Sequence, residues 1–476
     1  MPERLQPLDT VFLATDSANT PMHVATLDIF APDEGFDYER LVALIGDRIA
    51  FVPRYRQRVR RILGEVATPV WVDDEDFDLT YHVRRSALPR PGSMTQLREL
   101  VARIMSRRLD PSRPLWEMYL VEGLAGGRYA VLAKSHQALV DGTTVDLAQT
   151  IVDDSPEPPT TPDISWQPER SRGGAELLTE ALADVVRDPR VAVDNMRGRL
   201  VGLRQVVGRA RTAVNVARGA RSVPAGPLAA GPSEQRRFMT VESRLADYRR
   251  VRETHGGTVN DVILAVVAGG LRSWMMTRAE PVSATTRLRA LVPLSVTDDE
   301  FAEPTSLGSQ VTPHMLSLPV GEPNPVMRLH QVSYALKAHK ETGRAVAATK
   351  LADVAGFAPT TFHALGARVA GSHPPRSYNL LVTNVPGPQF PLYAGGATMV
   401  ASYPVLPLVP GHALAVGVTS YNGSVFYGLD VDRDAVPDVG VLGQCLTEAL
   451  DELVDASSSA RVRAPRGRVT PSRKGS

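Results

Sequence analysis

Along residues 1–153 the apolar positions change repeatedly between a helical spacing and a strand-like alternation, which predicts an α/β domain. Within it, Arg128-Tyr-Ala-Val-Leu-Ala-Lys-Ser-His136 reads as a buried strand that runs into a loop. The pattern then breaks: DDSPEPPTTPDISWQPERSR, from Asp153 to Arg172, clusters residues that deny both helix and sheet. Gly173 to Ser222 is rich in Ala, Val, Leu and Arg and predicts one or two helices. A second linker, VPAGPLAAGPSE, leads to a second alternating α/β region.

Four segments of that second region carry local signals. Thr258 to Trp274 opens on capping residues and continues as an apolar helix. Leu288–Val292 is expected as a short strand ended by Pro293, because proline cannot donate to a ladder. Asn379–Asn384 is expected as a strand closed by the turn Val385-Pro-Gly-Pro388. Ala413–Val418 and Ser424–Val431, joined through Tyr421-Asn-Gly423, form a hairpin signal. The expected layout is an N-terminal domain (1–153), a linker with a basic amphipathic helix (154–237), a C-terminal domain (238–455) and a disordered basic tail (456–476).

Composition narrows the class. A chain of 476 residues, 43% hydrophobic and 22% charged, is globular and long enough for two or three cores. Lys+Arg (53) and Asp+Glu (52) leave +1, which argues against a nucleic-acid binder. That balance conceals local asymmetry. Residues 195–222 hold seven arginines and no acid, and the tail from Arg461 holds six basic residues, so the rest of the chain carries −12. The lone Cys445 forbids an intrachain disulfide and suits a reducing, cytoplasmic compartment. The first residues, MPERLQPLDTVFLATD, lack the apolar region of a secretory leader. The longest uninterrupted apolar run, Val262 to Leu271, has ten residues against the roughly 18 to 20 that a bilayer requires, so no membrane span is expected.

The local sequence with the most chemistry is Lys134-Ser-His-Gln-Ala-Leu-Val-Asp-Gly142. A histidine at a strand end followed by a turn with Asp and Gly can hold a base at a cleft, although a strand-end histidine is more often structural. The flanks add to this. Pro7-Leu-Asp9 with Phe12-Leu13, Pro21-Met-His-Val24, Pro53-Arg-Tyr-Arg-Gln-Arg58, Trp71-Val-Asp-Asp74, Phe77-Asp-Leu79, His82-Val83, Leu88-Pro-Arg-Pro-Gly92, Pro114-Leu-Trp116 with Glu117, Val259-Asn-Asp-Val262 and Asn384-Val-Pro-Gly-Pro388 occur in order. In these blocks the chain, over roughly residues 5 to 455, resembles the bacterial wax ester synthase/diacylglycerol acyltransferase family of the actinobacterial triacylglycerol synthase type.

The family's motif is His-His-x-x-x-Asp-Gly, with the second histidine as general base. Aligned on Ala138-Leu-Val-Asp-Gly142, the first histidine is His136 and the second is replaced by Gln137. Glutamine can orient a hydroxyl or oxyanion but cannot take a proton near pH 7. A general base contributes about 10²- to 10⁴-fold, so the replacement implies weakened activity. Three readings stay open: His136 as base, Gln137 as a positioning donor in a slow enzyme, or loss of transfer with a silent lipid- or acyl-CoA-binding homologue remaining. Strand alternation turns His136 away from Gln137.

The resemblance implies Asp141 as a structural acceptor, Gly142 as a turn residue, and Asn260 and Asp261 as tunnel-lining candidates, against which stands a plain helix N-cap pair. It implies two CoA-dependent-acyltransferase-like α/β domains of mixed sheets and flanking helices, joined by the helical linker, with a tunnel at the domain interface. The implied reaction is direct transfer from acyl-CoA to diacylglycerol or a long-chain alcohol, with no bound cofactor. His23, His82, His314 and His412 show no metal-ligand spacing, so no metal site is expected. The arginine-rich helix suits an anionic membrane or lipid-inclusion surface, and equally a helix packed with a solvated basic face. A peptide-synthetase condensation domain, which uses a similar motif, is the less favoured relative.

Overall fold

The structure is a computed structural model that describes residues 3–32, 35–62, 68–140, 147–157, 168, 226–295, 311–342, 359–373 and 377–462. The basic helix expected at 195–222 lies outside these residues, as do Asp141 and Gly142. In chain order the first strands are β1 (His23–Ala31), β2 (Gln57–Arg60), β3 (Val70–Asp73), β4 (Val83–Ala87), β5 (Trp116–Glu122) and β6 (Tyr129–His136). Between them lie the helices α1 (Pro7–Thr15), α2 (Tyr38–Ile49), α3 (Leu79–His82) and α4 (Met94–Met105), with α1 preceding β1. Then come β7 (Arg236–Arg244), α5 (Leu245–His255), α6 (Val259–Thr277), β8 (Leu288–Ser295), β9 (Val311–Leu318), α7 (Pro325–Thr342) and α8 (Pro359–Ser372). The last elements are β10 (Leu380–Pro386), β11 (Tyr393–Ala394), β12 (Ala397–Val405), β13 (Leu414–Tyr421), β14 (Ser424–Asp432) and α9 (Val439–Val462).

The chain divides into two compact units. The first combines Met1–Glu242, Leu288–Leu316 and Gly343–Gly440 and contains most of two six-stranded sheets, ordered β11-β12-β1-β6-β5-β4 and β7-β14-β13-β10-β8-β9. Both are mixed: β4 and β5 are parallel beside antiparallel β5/β6, and β10/β13 are parallel beside antiparallel β13/β14. This is the expected class of two mixed sheets with flanking helices. Strand β6 is buried at every position and lies between β1 and β5 in its sheet, and a strand with both faces covered reads as a continuous apolar run. Helix α4 starts on a Ser93/Gln96 capping box and turns Leu97, Val101, Ile104 and Met105 into the core of this sheet.

The expected layout is crossed by the strand pairing. Residues 393–405, assigned from sequence to the C-terminal domain, form β11 and β12, and β12 lies antiparallel to β1 from Ala25↔Val405 to Ala31↔Thr398. The C-terminal region thus satisfies the β1 edge that the N-terminal strands leave open. Two-residue turns with positive φ make the hairpins: Gly395 and Gly396 between β11 and β12, and Asn422 and Gly423 between β13 and β14, where the turn was expected. Both sheets meet at Pro404. The cross-strand partners Gly417 and Gly428 face it so closely that a Cβ on Gly428 would stand 1.8 Å from the Pro404 carbonyl oxygen.

Three expected boundaries shift. Strand β8 continues through Pro293 to Ser295; its pairing with β10 runs through Ala290 and Leu291, upstream of the proline, so the missing N–H breaks no bond of that pair. Strand β10 extends through Pro386, which pairs with Ser420. Helix α9 runs to Val462, beyond the expected start of the tail at 456, with Ser457 buried and its hydroxyl bonded to the Leu453 carbonyl.

The second unit spans Ser243–Arg287, Ser317–Thr342 and Val441–Ser476, and its described residues are mainly helical. Its α6 is long and apolar enough in length and composition to cross a membrane, which the ten-residue run understates. Its side chains from Asp261 to Leu271 are nonetheless buried, and its backbone approaches α9 closely. A Cβ on Gly269 would lie 2.9 Å from Ala449, and one on Gly270 2.6 Å from Leu446, so glycine is required at both crossings.

Candidate active site

The motif begins where β6 ends. His136 is the last strand residue, and its N–H donates to the Leu115 carbonyl at 2.9 Å. Gln137 opens a turn: its N–H donates to the Met22 carbonyl at 2.8 Å, and its own carbonyl accepts from Val140 N–H at 3.3 Å. The strand and turn thereby hold the two side chains in different settings.

His136 shares its sheet face with Lys134, whose ammonium donates to the carbonyls of Ile104 and Arg107 at the end of α4. The imidazole is buried, and Ala138 N–H donates to its Nδ1 at 3.0 Å. That bond occupies the lone pair of Nδ1 and fixes the neutral ring with its proton on Nε2, which has no partner among the described residues. Burial, reinforced by Arg108, Arg368 and Lys134 and opposed by Asp16, lowers the His136 pKa to about 4. The ring is a neutral hydrogen-bond donor at pH 7.

Gln137 is fully buried, and neither its Oε1 nor its Nε2 has a hydrogen-bond partner among the described residues. A buried amide left unpaired costs about 1–3 kcal/mol for each polar group, so this side chain is prepared to accept and donate to an incoming molecule. Asp141 and Gly142 fall outside the described residues.

Asn260 and Asp261 belong to the second unit and to the first turn of α6. Thr258 and Asp261 form a reciprocal capping box, with Asp261 Oδ2 accepting from Thr258 N–H at 3.0 Å and from the Ser333 hydroxyl at 2.8 Å. Trp116 is a packing element: buried, stacked on His82 at 4.6 Å, its indole N–H donating to the Tyr55 carbonyl at 2.7 Å. No group of three or more His, Cys, Asp or Glu side chains suited to a metal ion occurs among the described residues.

Sequence reasoning missed Arg368. This α8 residue donates from Nη1 to the carbonyls of Gln137 at 2.8 Å and Val140 at 2.7 Å, and from Nη2 to Asp9. Nothing local marks it, since 231 residues separate it from Gln137; only Asp9, within the Pro-Leu-Asp signature, pointed to its partner.

Comparison with known proteins shows the family. Residues 5–263 match the model of the wax ester synthase/diacylglycerol acyltransferase catalytic domain, and residues 307–454 match that of the WS/DGAT C-terminal domain. A Mycobacterium tuberculosis protein named "Probable diacyglycerol O-acyltransferase tgs1" is 31% identical over 474 residues, covering 98% of this chain and 99% of its own. Another from that species, tgs3, is 44% identical over 265 residues, 53% of this chain and 96% of its own. Among solved structures, the wax ester synthase/diacylglycerol acyltransferase from Marinobacter aquaeolei VT8 superposes with TM-score 0.66 and 27% identity, over 96% of this chain and all of its own. The first condensation domain of the calcium-dependent antibiotic synthetase (TM-score 0.53, 14% identity, 97% of both chains) shares the fold.

Proposed function

We propose, from the premise that the chain belongs to the wax ester synthase/diacylglycerol acyltransferase family, that it transfers an acyl group from acyl-CoA to the hydroxyl of diacylglycerol, making triacylglycerol. Long-chain alcohols are the second acceptor class. The acceptor oxygen bonds to the thioester carbonyl carbon, the carbon–sulfur bond breaks, and the hydroxyl proton leaves with the CoA thiol. No covalent enzyme intermediate is required, and Cys445, buried within α9, takes no part.

The observation that carries this reading is the Gln137 amide, buried with both polar atoms unpaired among the described residues, at the position of the family's base. Its Oε1 can accept from the acceptor hydroxyl and its Nε2 can donate to the developing oxyanion, but it takes no proton. His136 does not replace the missing base in this proposal, because Nδ1 is occupied and Nε2 is protonated. The enzyme is slow for want of a base. The same substitution favours one other reading, a homologue that binds acyl-CoA or lipid without turnover.

Delivery of the acceptor from a lipid phase belongs to the proposal. The seven arginines of residues 195–222, interleaved with apolar positions, support contact with an anionic surface at the cytoplasmic membrane face or a lipid inclusion.

Purified protein and a Gln137→His variant incubated with labelled acyl-CoA and diacylglycerol, with a long-chain alcohol in parallel, test the reading. Slow product from the native chain and a gain of about 10²- to 10⁴-fold in the variant are expected. Product only from the variant identifies a silenced homologue, and product from neither overturns acyl transfer.

A further inference from the structure

We infer that Arg368 and Asp9 form a latch that positions Gln137, so that a guanidinium from α8 and a carboxylate from α1 set the geometry of the motif turn. The inference rests on acyl transfer at Gln137 and assigns the residues that hold that side chain in register.

The pair is buried, with side-chain exposures of 5% for Arg368 and 3% for Asp9. Removing both charges from water is repaid only when the geometry is good and the remaining donors are satisfied. Here they are used on the motif. One nitrogen of the planar fork reaches both the Gln137 and Val140 carbonyls, which bracket the turn, while the other is anchored on Asp9. Asp9 is itself fixed in the first turn of α1, accepting from Gln6 N–H at 3.3 Å. The Phe12 ring, one turn along α1, lies 5.3 Å from the guanidinium carbon. Gly371 lets the helices approach, since a Cβ there would stand 3.0 Å from that ring.

The turn's other restraints are backbone N–H bonds: Gln137 to the Met22 carbonyl, Ala138 to His136 Nδ1, Leu139 to the His136 carbonyl and Val140 to the Gln137 carbonyl. Arg368 is the side chain that ties the Gln137 and Val140 carbonyls to a separate helix. A lysine supplies a point charge without the rigid fork and cannot reproduce both carbonyl bonds and the carboxylate bond in one plane. Arg368 is thus a positioning residue: it reaches the chemistry through the Gln137 backbone.

The test combines Arg368→Lys, Arg368→Met and Asp9→Asn, each in the native chain and with Gln137→His, and reads hydrogen exchange of the peptide spanning Lys134–Val140 beside kcat and KM for acyl-CoA. Faster exchange at Leu139 and Val140 is expected with a fall in kcat of about 10- to 100-fold, the cost of a misplaced group, and a KM within about threefold. An Asp9→Asn/Arg368→Met double variant should lose no more than the worse single variant. Folded variants with native exchange and native kcat overturn the latch, as does a loss of kcat that only parallels global unfolding. Asp9→Asn keeps the test open if the Arg368 variants do not fold. Exchange is read without turnover, so absence of product from every chain, including Gln137→His, overturns the acyl-transfer reading while exchange still decides the latch.

Discussion

His23 and His136 lie directly opposite each other on β1 and β6 and meet edge to face, ring centroids 5.7 Å apart. Burial lowers the pKa of both, His23 well below the ordinary imidazole range and His136 to about 4, and neighbouring Lys134 and Arg108 push each further in that direction. His23 Nε2 accepts from Leu109 N–H at 3.4 Å and His136 Nδ1 from Ala138 N–H at 3.0 Å. The two rings are neutral, each with one nitrogen already occupied by a backbone donor. On the proposed reading, the first histidine of the motif holds the strand end.

Replacing His136 by Asn should keep an acceptor for Ala138 N–H while removing the titration. A histidine held neutral in the fold takes up its proton more readily when unfolded, so it costs stability as pH falls from 6.5 towards 4 and nothing above that window. His136→Asn is expected to reduce the slope of stability against pH in that window by about one proton, in urea titrations at several pH values. Its kcat at pH 7 should stay within a few-fold of native, whereas a large loss at unchanged stability would restore His136 as the base.

The pH–rate profile separates the two identities at position 137. The native chain should show no ionisation of residue 137, because an amide does not titrate. Gln137→His should acquire an acidic limb, with activity lost as pH falls through the new histidine's pKa. Profiles of equal shape would show that proton transfer does not pass through this position.

Asp261 offers a contrast. As a capping residue with a second bond to Ser333, its change to Ala should destabilise the protein by about 0.5–2 kcal/mol and leave kcat and KM unchanged once the variant is folded. Altered acyl-chain preference at native stability would instead assign it to the substrate path.

Gly428→Ala should be among the most damaging single-methyl changes in the chain. Its Cβ would overlap the Pro404 carbonyl oxygen where the two sheets meet, and the backbone has no flexible side chain to move aside, so a loss of about 3 kcal/mol or more is expected. Gly440→Ala, with nothing within 4 Å of its Cβ, serves as the control and should be neutral or stabilising by up to about 1 kcal/mol. Urea unfolding of the two variants checks the difference.

Local chemistry in the sequence determined much of this protein. The apolar run ending at His136 fixed β6, Thr258 and Asp261 announced the start of α6, and Asn422-Gly423 set the β13/β14 turn, because each signal acts over a few neighbouring residues. The ordered family blocks identified the fold and located the motif, including the glutamine that departs from it. Pairing across long separations was not legible: that residues 397–405 complete the sheet of β1, or that Arg368 reaches Gln137 over 231 positions, depends on which edges and carbonyls remain unsatisfied once the chain has folded. The same holds for the state of His136. Its identity and place on the strand were readable, but its neutrality and tautomer were decided by burial and by the Ala138 N–H, which only the tertiary structure supplies.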